Sequence, residues 1–212
     1  MSYFVPYPIA DLHSPNNGRL QVRLVAGRLQ LTTRQSIYSY EDRYTCLAKT
    51  LFVIQERLPS AQKVLILGFG LGSIPMILYK QHGLQPDIVG VDHDAVVLQQ
   101  FHRFYQADYI TLHQADAKDF LQQSTDHFDL ICIDLFKDAL VPKKFESDQF
   151  LEQVKLHLHP KGLVLFNRLT MEPGLATATE TFFQHHFSRW FPDAYYVDTG
   201  GNWILVGEKA AE

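Results

Sequence analysis

Residues 62–79 read QKVLILGFGLGSIPMILY, and this stretch decides how the rest of the chain is taken. Val64, Leu65, Ile66 and Leu67 form an unbroken apolar run, the pattern of a strand covered on both faces of a parallel sheet. Gly68, Gly70 and Gly72 follow at once, allowing a tight turn and a close approach of backbone to a ligand. Pro75 suits the first turn of a helix. The order is strand, ligand loop, helix. A dinucleotide fingerprint would run G-x-G-x-x-G, whereas here the third glycine arrives one position early and Ser73 stands where that pattern wants glycine. The spacing therefore argues against a nicotinamide cofactor. The competing reading is a glycine-rich turn that packs a helix and binds nothing.

Downstream, a helix to about His82 stops at Gly83, and DIVGV (87–91) is a second buried strand ending at Asp92. Val97, Phe101 and Phe104 mark a helix packed on the sheet. YITLH (109–113) is a third strand with Asp116 just beyond it, and FDLICI (128–133) a fourth ending in Asp134. A helix carrying Leu151, Val154 and Leu158 is expected to close at Pro160-Lys161-Gly162, before a fifth strand over 163–166. Phe183, Phe187 and Trp190 mark one more helix, and YYVDTGGNWILVG (195–207) reads as two strands around Gly200-Gly201. Five strands separated by helices imply a doubly wound, mostly parallel sheet. The last turn is too short for a crossover, so its strands are antiparallel and form an antiparallel C-terminal edge hairpin. The fold class is α/β with seven strands in the main sheet.

Upstream, RLQVRLVAGRLQLTT (19–33) alternates around Ala26-Gly27 as a β-hairpin. Ser39 followed by Asp42 suggests a capping box, and Leu47, Leu51, Ile54 and Leu58 repeat at helical spacing up to Pro59-Ser60. We divide the chain into an extension of hairpin and leading helix, 1–60, and a ligand-binding domain, 61–212.

The 212 residues, 46% apolar and 20% charged, suffice for a sizeable core. A formal charge of -4 gives no basic footprint for nucleic acid. The first residues lack a basic segment and are broken by Pro6 and Pro8, so neither a signal peptide nor a membrane span is expected. Cys46 and Cys132 suggest no disulfide framework, and a cytoplasmic location is the default. No metal site is expected, since His157, His159, His185 and His186 have no accompanying acids or cysteines at site spacing and read as surface or partly packed.

Ligands of open α/β sheets bind at the carboxyl ends of the strands, where this chain places Asp92, Asp116 and Asp134. Asp92 can accept from ribose hydroxyls, Asp116 from an adenine amino group, and Asp134 faces the far end of the ligand. The bland reading of any one of them is a helix cap, which we assign to Asp94 and Asp119. Tyr38, Tyr40 and Tyr44 either wall an acceptor pocket or belong to the core.

VLILGFGLGS, GVDHDAV, QADAKDFL, FDLICIDLF and PKKFESDQFLEQVKLHLHPKGLVLFN, in this order, resemble the spermidine synthase branch of the class I S-adenosylmethionine-dependent methyltransferase superfamily. The resemblance covers roughly residues 60 to 208. It implies a cofactor site with Gly68, Gly70 and Gly72 on the methionine part, Asp92 on the ribose and Asp116 with Ala117 at the adenine, Phe69 and His93 among the cofactor contacts, and Asp134 as both a cofactor contact and the catalytic carboxylate. The implied cofactor is S-adenosylmethionine, or its decarboxylated form if the reaction is aminopropyl transfer. The implied partner is a small-molecule acceptor, with no nucleic acid and no membrane, and a homodimer stays open. Two positions depart from that branch. Its glycine loop carries an acid where this chain has Leu71, and the second acid after its fourth strand is matched by Lys137, with Asp138 displaced by one residue. The readings are a methyltransferase, an aminopropyltransferase with an altered amine site, and a non-catalytic cofactor-binding module.

Overall fold

A computed structural model describes residues 5–33, 36–137 and 140–211. Two sheets share one body. The small one is antiparallel in the order β1-β2-β3-β4, formed by Tyr7–Ser14, Gly18–Val25, Arg28–Thr32 and Ile37–Ser39. The expected hairpin is its β2-β3 pair. Two strands were illegible. β1 carries Pro8, tolerated because β1 is an edge strand and the register shifts between Pro8 and Ala10, while β4 is only three residues long.

The large sheet holds β5 (Lys63–Leu67), β6 (Asp87–Asp92), β7 (Ile110–Gln114), β8 (Phe128–Ile133), β9 (Leu158–Leu169), β10 (Tyr195–Asp198) and β11 (Asn202–Glu208), in the order β10-β11-β9-β8-β5-β6-β7. β5 through β9 pair in parallel, and β11 lies antiparallel between β9 and the edge strand β10. The chain runs outward through β6 and β7, then returns to β8 on the other side of β5. The strand order thus reverses between β5 and β8, where such sheets open a crevice at their carboxyl ends.

The connecting helices are α1 (Thr45–Val53), α2 (Ser73–His82), α3 (Ala95–Phe104), α4 (Ala117–Gln123), α5 (Asp148–Leu156) and α6 (Pro173–Phe182). α6 runs on into one wide turn at Phe183–Phe187 and a last helical stretch, Ser188–Trp190. The α5 boundary differs from the expected one. The helix ends at Leu156, and Leu158 already pairs with Phe128, so Pro160-Lys161-Gly162 lies inside β9 as an irregularity. Apolar spacing continued past the helix because Leu158 faces the same core as Val154.

The core lies on both sides of the large sheet. On one side Leu20, Val22 and Leu31 of the small sheet and Leu47 and Leu51 of α1 pack with Val64, Ile66 and Leu130. On the other, Phe128, Phe150, Phe166, Phe187 and Phe191 are fully buried around Leu65 and Ile131. No capping box forms at the first helix. The Ser39 hydroxyl instead accepts the Leu71 N–H at 3.2 Å and meets Ser73 Oγ at 2.7 Å, while Asp42 pairs with Arg28 and Lys80. The small sheet is therefore anchored to the glycine loop. His157, expected at the surface or partly packed, is buried between the carbonyls of Gln153 and Ser124. Among the described residues no helix is long and apolar enough to cross a membrane.

Candidate functional site

The glycine turn is built by its neighbours. Gly68 and Phe69 both donate backbone N–H to the Val91 carbonyl, at 2.9 and 3.1 Å, which curls the chain back over β6. The Phe69 ring swings inward, edge-on to Phe101 with centroids 4.9 Å apart, and occupies the space above Gly90 that any Cβ would fill. Asp134 donates its N–H to the Leu67 carbonyl at 2.8 Å, extending the β5-β8 ladder by one bond. An ideal Cβ on Gly68 would lie 2.2 Å from the Asp134 carbonyl oxygen, so this approach of the two strand ends requires glycine.

Above these ends opens a cleft with two lobes. The larger, about 1060 Å³, is lined by Val91, Asp92, His93, Ala115, Asp116, Ala117 and Phe145 among others. The second, about 820 Å³, reaches between the two sheets and is lined by Thr33, Ile37, Tyr44, Leu169 and Asn202. A common strip belongs to both, formed by Asn16, Asn17, Tyr38, Gly68, Asp134, Phe136 and Lys137. The β1-β2 turn makes the roof. Asn16 Nδ2 donates to the His93 carbonyl at 3.2 Å, Asn17 Nδ2 donates to Asp94 Oδ2 at 2.6 Å, and Ser14 Oγ donates to the same oxygen.

Asp92 is buried at the floor, where Oδ2 accepts the Gly70 N–H and Oδ1 the Asp94 N–H, each at 3.0 Å. Loss of water raises its pKa, and the two backbone donors pull the other way. His93 Nδ1 sits 3.7 Å from Asp92 Oδ1. Asp94 caps α3 by accepting the Val96 N–H. The cap of α4 is Asp116, which accepts the Lys118 N–H at 3.0 Å and pairs through Oδ2 with Lys144, whereas Asp119 stands in the helix's first turn. The cap assigned to Asp119 is thus corrected by three residues. Asp116 can cap and face the cleft because a carboxylate has several acceptor positions.

Asp134 borders both lobes. Its Oδ1 accepts Asn167 Nδ2–H at 2.8 Å and faces the Tyr44 hydroxyl at 3.5 Å. Asn202 Nδ2 in turn donates to Asn167 Oδ1 at 2.8 Å, which fixes the amide's orientation. Desolvation raises the Asp134 pKa from 3.8 to about 6 against the opposing pull of Asn167 and Tyr44. Burial likewise raises the phenols of Tyr38 and Tyr44, keeping them protonated donors. Replacing Asn167 with the similarly sized, apolar Leu removes a donor to the ionised form. The Asp134 titration midpoint is then expected to move above 6, followed by carboxyl carbon NMR. An unmoved or lowered midpoint would show that Asn167 does not stabilise the carboxylate.

Of the residues expected from sequence, the cleft gathers Gly68, Asp92, His93, Asp116, Ala117 and Asp134. Phe69, Gly70 and Gly72 do not line it. Phe69 is a core ring, the Gly70 N–H serves Asp92, and Gly72 begins α2 against Phe101. Tyr38 and Tyr44 wall the second lobe, while Tyr40 turns away and donates to the Val25 carbonyl at 3.3 Å. Leu71 is 1% exposed and belongs to the core. Lys137 stands at the common strip, and Asp138 lies outside the described residues. Sequence reasoning missed Asn167, Asn202, Asn16 and Asn17. Asn167 did leave a signal, a polar residue directly after the buried run Leu163–Phe166.

An adenosyl cofactor fits the larger lobe. Its ribose hydroxyls and adenine amino group are donors; Asp116 is part-exposed in the lobe and Asp92 lies buried directly beneath its floor, each with acceptor positions left over.

Sheet order, glycine turn and acids at the strand ends together define the Rossmann-like class of the methyltransferase fold. Residues 51–200 match the spermine/spermidine synthase domain, and the chain belongs to that family. Among curated relatives, a probable polyamine aminopropyl transferase of Bifidobacterium longum is 29% identical over 57% of this chain and 27% of its own length. The eEF1A lysine and N-terminal methyltransferase of Bos taurus is 30% identical over 53% of this chain and 18% of its own. The chain thus spans about a quarter or less of these two relatives. A crystal structure of spermidine synthase with the transition-state analogue AdoDATO superposes with a TM-score of 0.72 at 16% identity, over 97% of this chain and 75% of that one. Human methyltransferase-like protein 13 in complex with SAH gives 0.62 at 24%, over 79% and 82%. At these identities the two structures establish the fold.

Proposed function

We propose that the chain is an S-adenosylmethionine-dependent methyltransferase whose small acceptor occupies the lobe between Tyr44 and Asp134. The observation that carries this reading is the charge inventory of that lobe. Among its described lining residues Asp134 is the sole carboxylate and Lys137 the sole cation. The other position expected to hold an acid, Leu71, is packed into the core. A diamine is a dication at neutral pH, and burying it without a carboxylate for each end costs several kcal/mol. Aminopropyl transfer to such an amine, the reading favoured by the family match, finds no second acid among the described residues of this lobe.

When bound, the cofactor supplies an electrophilic carbon on a sulfonium, and the chain's own task is to align a nucleophile with it. Tyr44 and Tyr38 fix an acceptor through their retained phenol protons and ring faces. Asp134 is ionised above its midpoint near 6 and takes the proton that the acceptor's nucleophilic atom sheds. Asn167 and Asn202 hold that carboxylate in one orientation.

The two transfers leave different products, which makes the test direct. The chain is incubated with S-adenosylmethionine and a panel of small monoamines, phenols and carboxylic acids, and separately with decarboxylated S-adenosylmethionine and putrescine. S-adenosylhomocysteine is expected with a member of the panel, and no methylthioadenosine with putrescine. Methylthioadenosine well above an Asp134→Ala control would overturn the proposal in favour of aminopropyl transfer. No product from either mixture, with binding intact, would favour the non-catalytic module.

A further inference from the structure

Lys137 lies on the strip common to both lobes, beside Gly68 and Asp134. Its backbone is pinned, donating N–H to the Leu140 carbonyl at 2.9 Å and accepting the Leu140 N–H at 3.1 Å. The side chain is exposed, and among the described residues no acid or polar atom pairs with its ammonium. The other lysine of the cleft differs, since Lys144 is paired with Asp116 at the far end of the larger lobe. Asp134 forms no ion pair with Lys137, and its Oδ1 is turned to Asn167 and Tyr44. Among the described residues, Lys137 is therefore an unpaired cation on a fixed root at the seam between the lobes.

On the reading proposed above, on which this inference rests, the adenosyl end of the cofactor lies toward Asp92 and Asp116 and the reacting carbon faces Tyr44. The seam is then the part of the cleft left for the cofactor's amino-acid tail. S-adenosylmethionine carries an α-carboxylate on that tail, and the decarboxylated cofactor carries an ammonium there with no anion. We infer that Lys137 pairs with the α-carboxylate and so selects S-adenosylmethionine over its decarboxylated form. A carboxylate meeting this ammonium makes a charge-assisted bond. The decarboxylated tail brings a second positive charge toward a first, which lowers its affinity further. One residue would thus repel the aminopropyl donor and hold the methyl donor.

The test uses two ligands that differ only in the carboxylate, S-adenosylhomocysteine and its decarboxylated counterpart, titrated calorimetrically into the full chain. Wild type is expected to prefer S-adenosylhomocysteine by about ten- to a hundredfold, the range of a hydrogen bond to a charged group. Lys137→Gln should bring the two affinities together, chiefly by weakening S-adenosylhomocysteine, and Lys137→Arg should keep most of the preference. The preference should also shrink with added salt, because the side chain is exposed. A preference that Lys137→Gln leaves unchanged overturns the assignment of Lys137 while leaving the cofactor reading standing. Failure of wild type to bind either ligand overturns both. Misfolding is controlled by thermal melts, which should coincide for the three proteins because Lys137 contributes no core contact.

Discussion

Gly68→Ala is expected to cost more than about 4 kcal/mol of folding stability. The residue has φ +87°, a conformation that costs an L side chain about 1 to 2 kcal/mol by itself. The new methyl carbon would also meet the Asp134 carbonyl oxygen at 2.2 Å and its carbon at 2.8 Å. These are backbone atoms of the neighbouring strand end and cannot rotate away. Relief requires β5 and β8 to part, which breaks the 2.8 Å bond from the Asp134 N–H to the Leu67 carbonyl. The sum should exceed about 4 kcal/mol, the range reached only by severe core or strain mutations, against a total stability of about 5 to 15 kcal/mol for an ordinary domain. Gly18→Ala is the control, since Gly18 has φ +65° with no atom within 4 Å of an added Cβ. Its loss should stay near 1 to 2 kcal/mol. Urea denaturation of both variants gives the comparison, and equal losses would mean that the two strand ends are not held in rigid contact.

Asp134→Asn is expected to lower turnover by about a hundred- to ten-thousandfold, the contribution of a positioned base, while making the protein more stable above pH 6. The signs follow from the same shift. Unfolded, the carboxyl ionises near 3.8; folded, near 6. Between these values the folded chain holds the extra proton, so stability falls as pH rises through the window and stays lowered above it. The full shift corresponds to about 3 kcal/mol, and because the carboxylate borders an open cleft we expect about 1 to 3 kcal/mol. Asparagine carries no charge and still offers an oxygen to Asn167, which removes the deficit. Wild-type activity should rise as pH passes 6, since the base must be ionised. Melting curves at pH 5 and 8 check the stability difference between wild type and variant, which should widen at pH 8. A variant that is less stable at pH 8 than wild type would show that the carboxylate is a net structural asset.

The main sheet was legible because it is parallel and buried. Its strands appear as unbroken apolar runs such as Val64–Leu67 and Leu130–Ile133, each cut off by glycine or aspartate at the end where ligands bind. The small sheet was half legible. Its central pair alternates in the usual way, whereas β1 hides behind Pro6 and Pro8 and β4 is too short for a period to show. The glycine loop misled in its details. Which of its residues face the cleft depends on Gly90, two strands' worth of sequence away, whose missing side chain draws the Phe69 ring inward. Leu71 reads as a vacant acid site only while its neighbours are unknown, and the fold shows it inside the core. Asn167 and Asn202 come within 2.8 Å of each other through the pairing of β9 with β11, a contact that no local pattern announces.

The floor and the roof of the cleft are made in different ways. The floor is a set of strand ends, spaced by backbone ladders and closed by a glycine that tolerates no replacement. The roof is the turn at Asn16 and Asn17, held by side-chain hydrogen bonds to Asp94 and a single carbonyl. Variation is thereby partitioned. On the function proposed above, a change in the turn reshapes the space over the bound ligand without disturbing the ladder beneath it, whereas a change in the floor would have to rebuild the sheet.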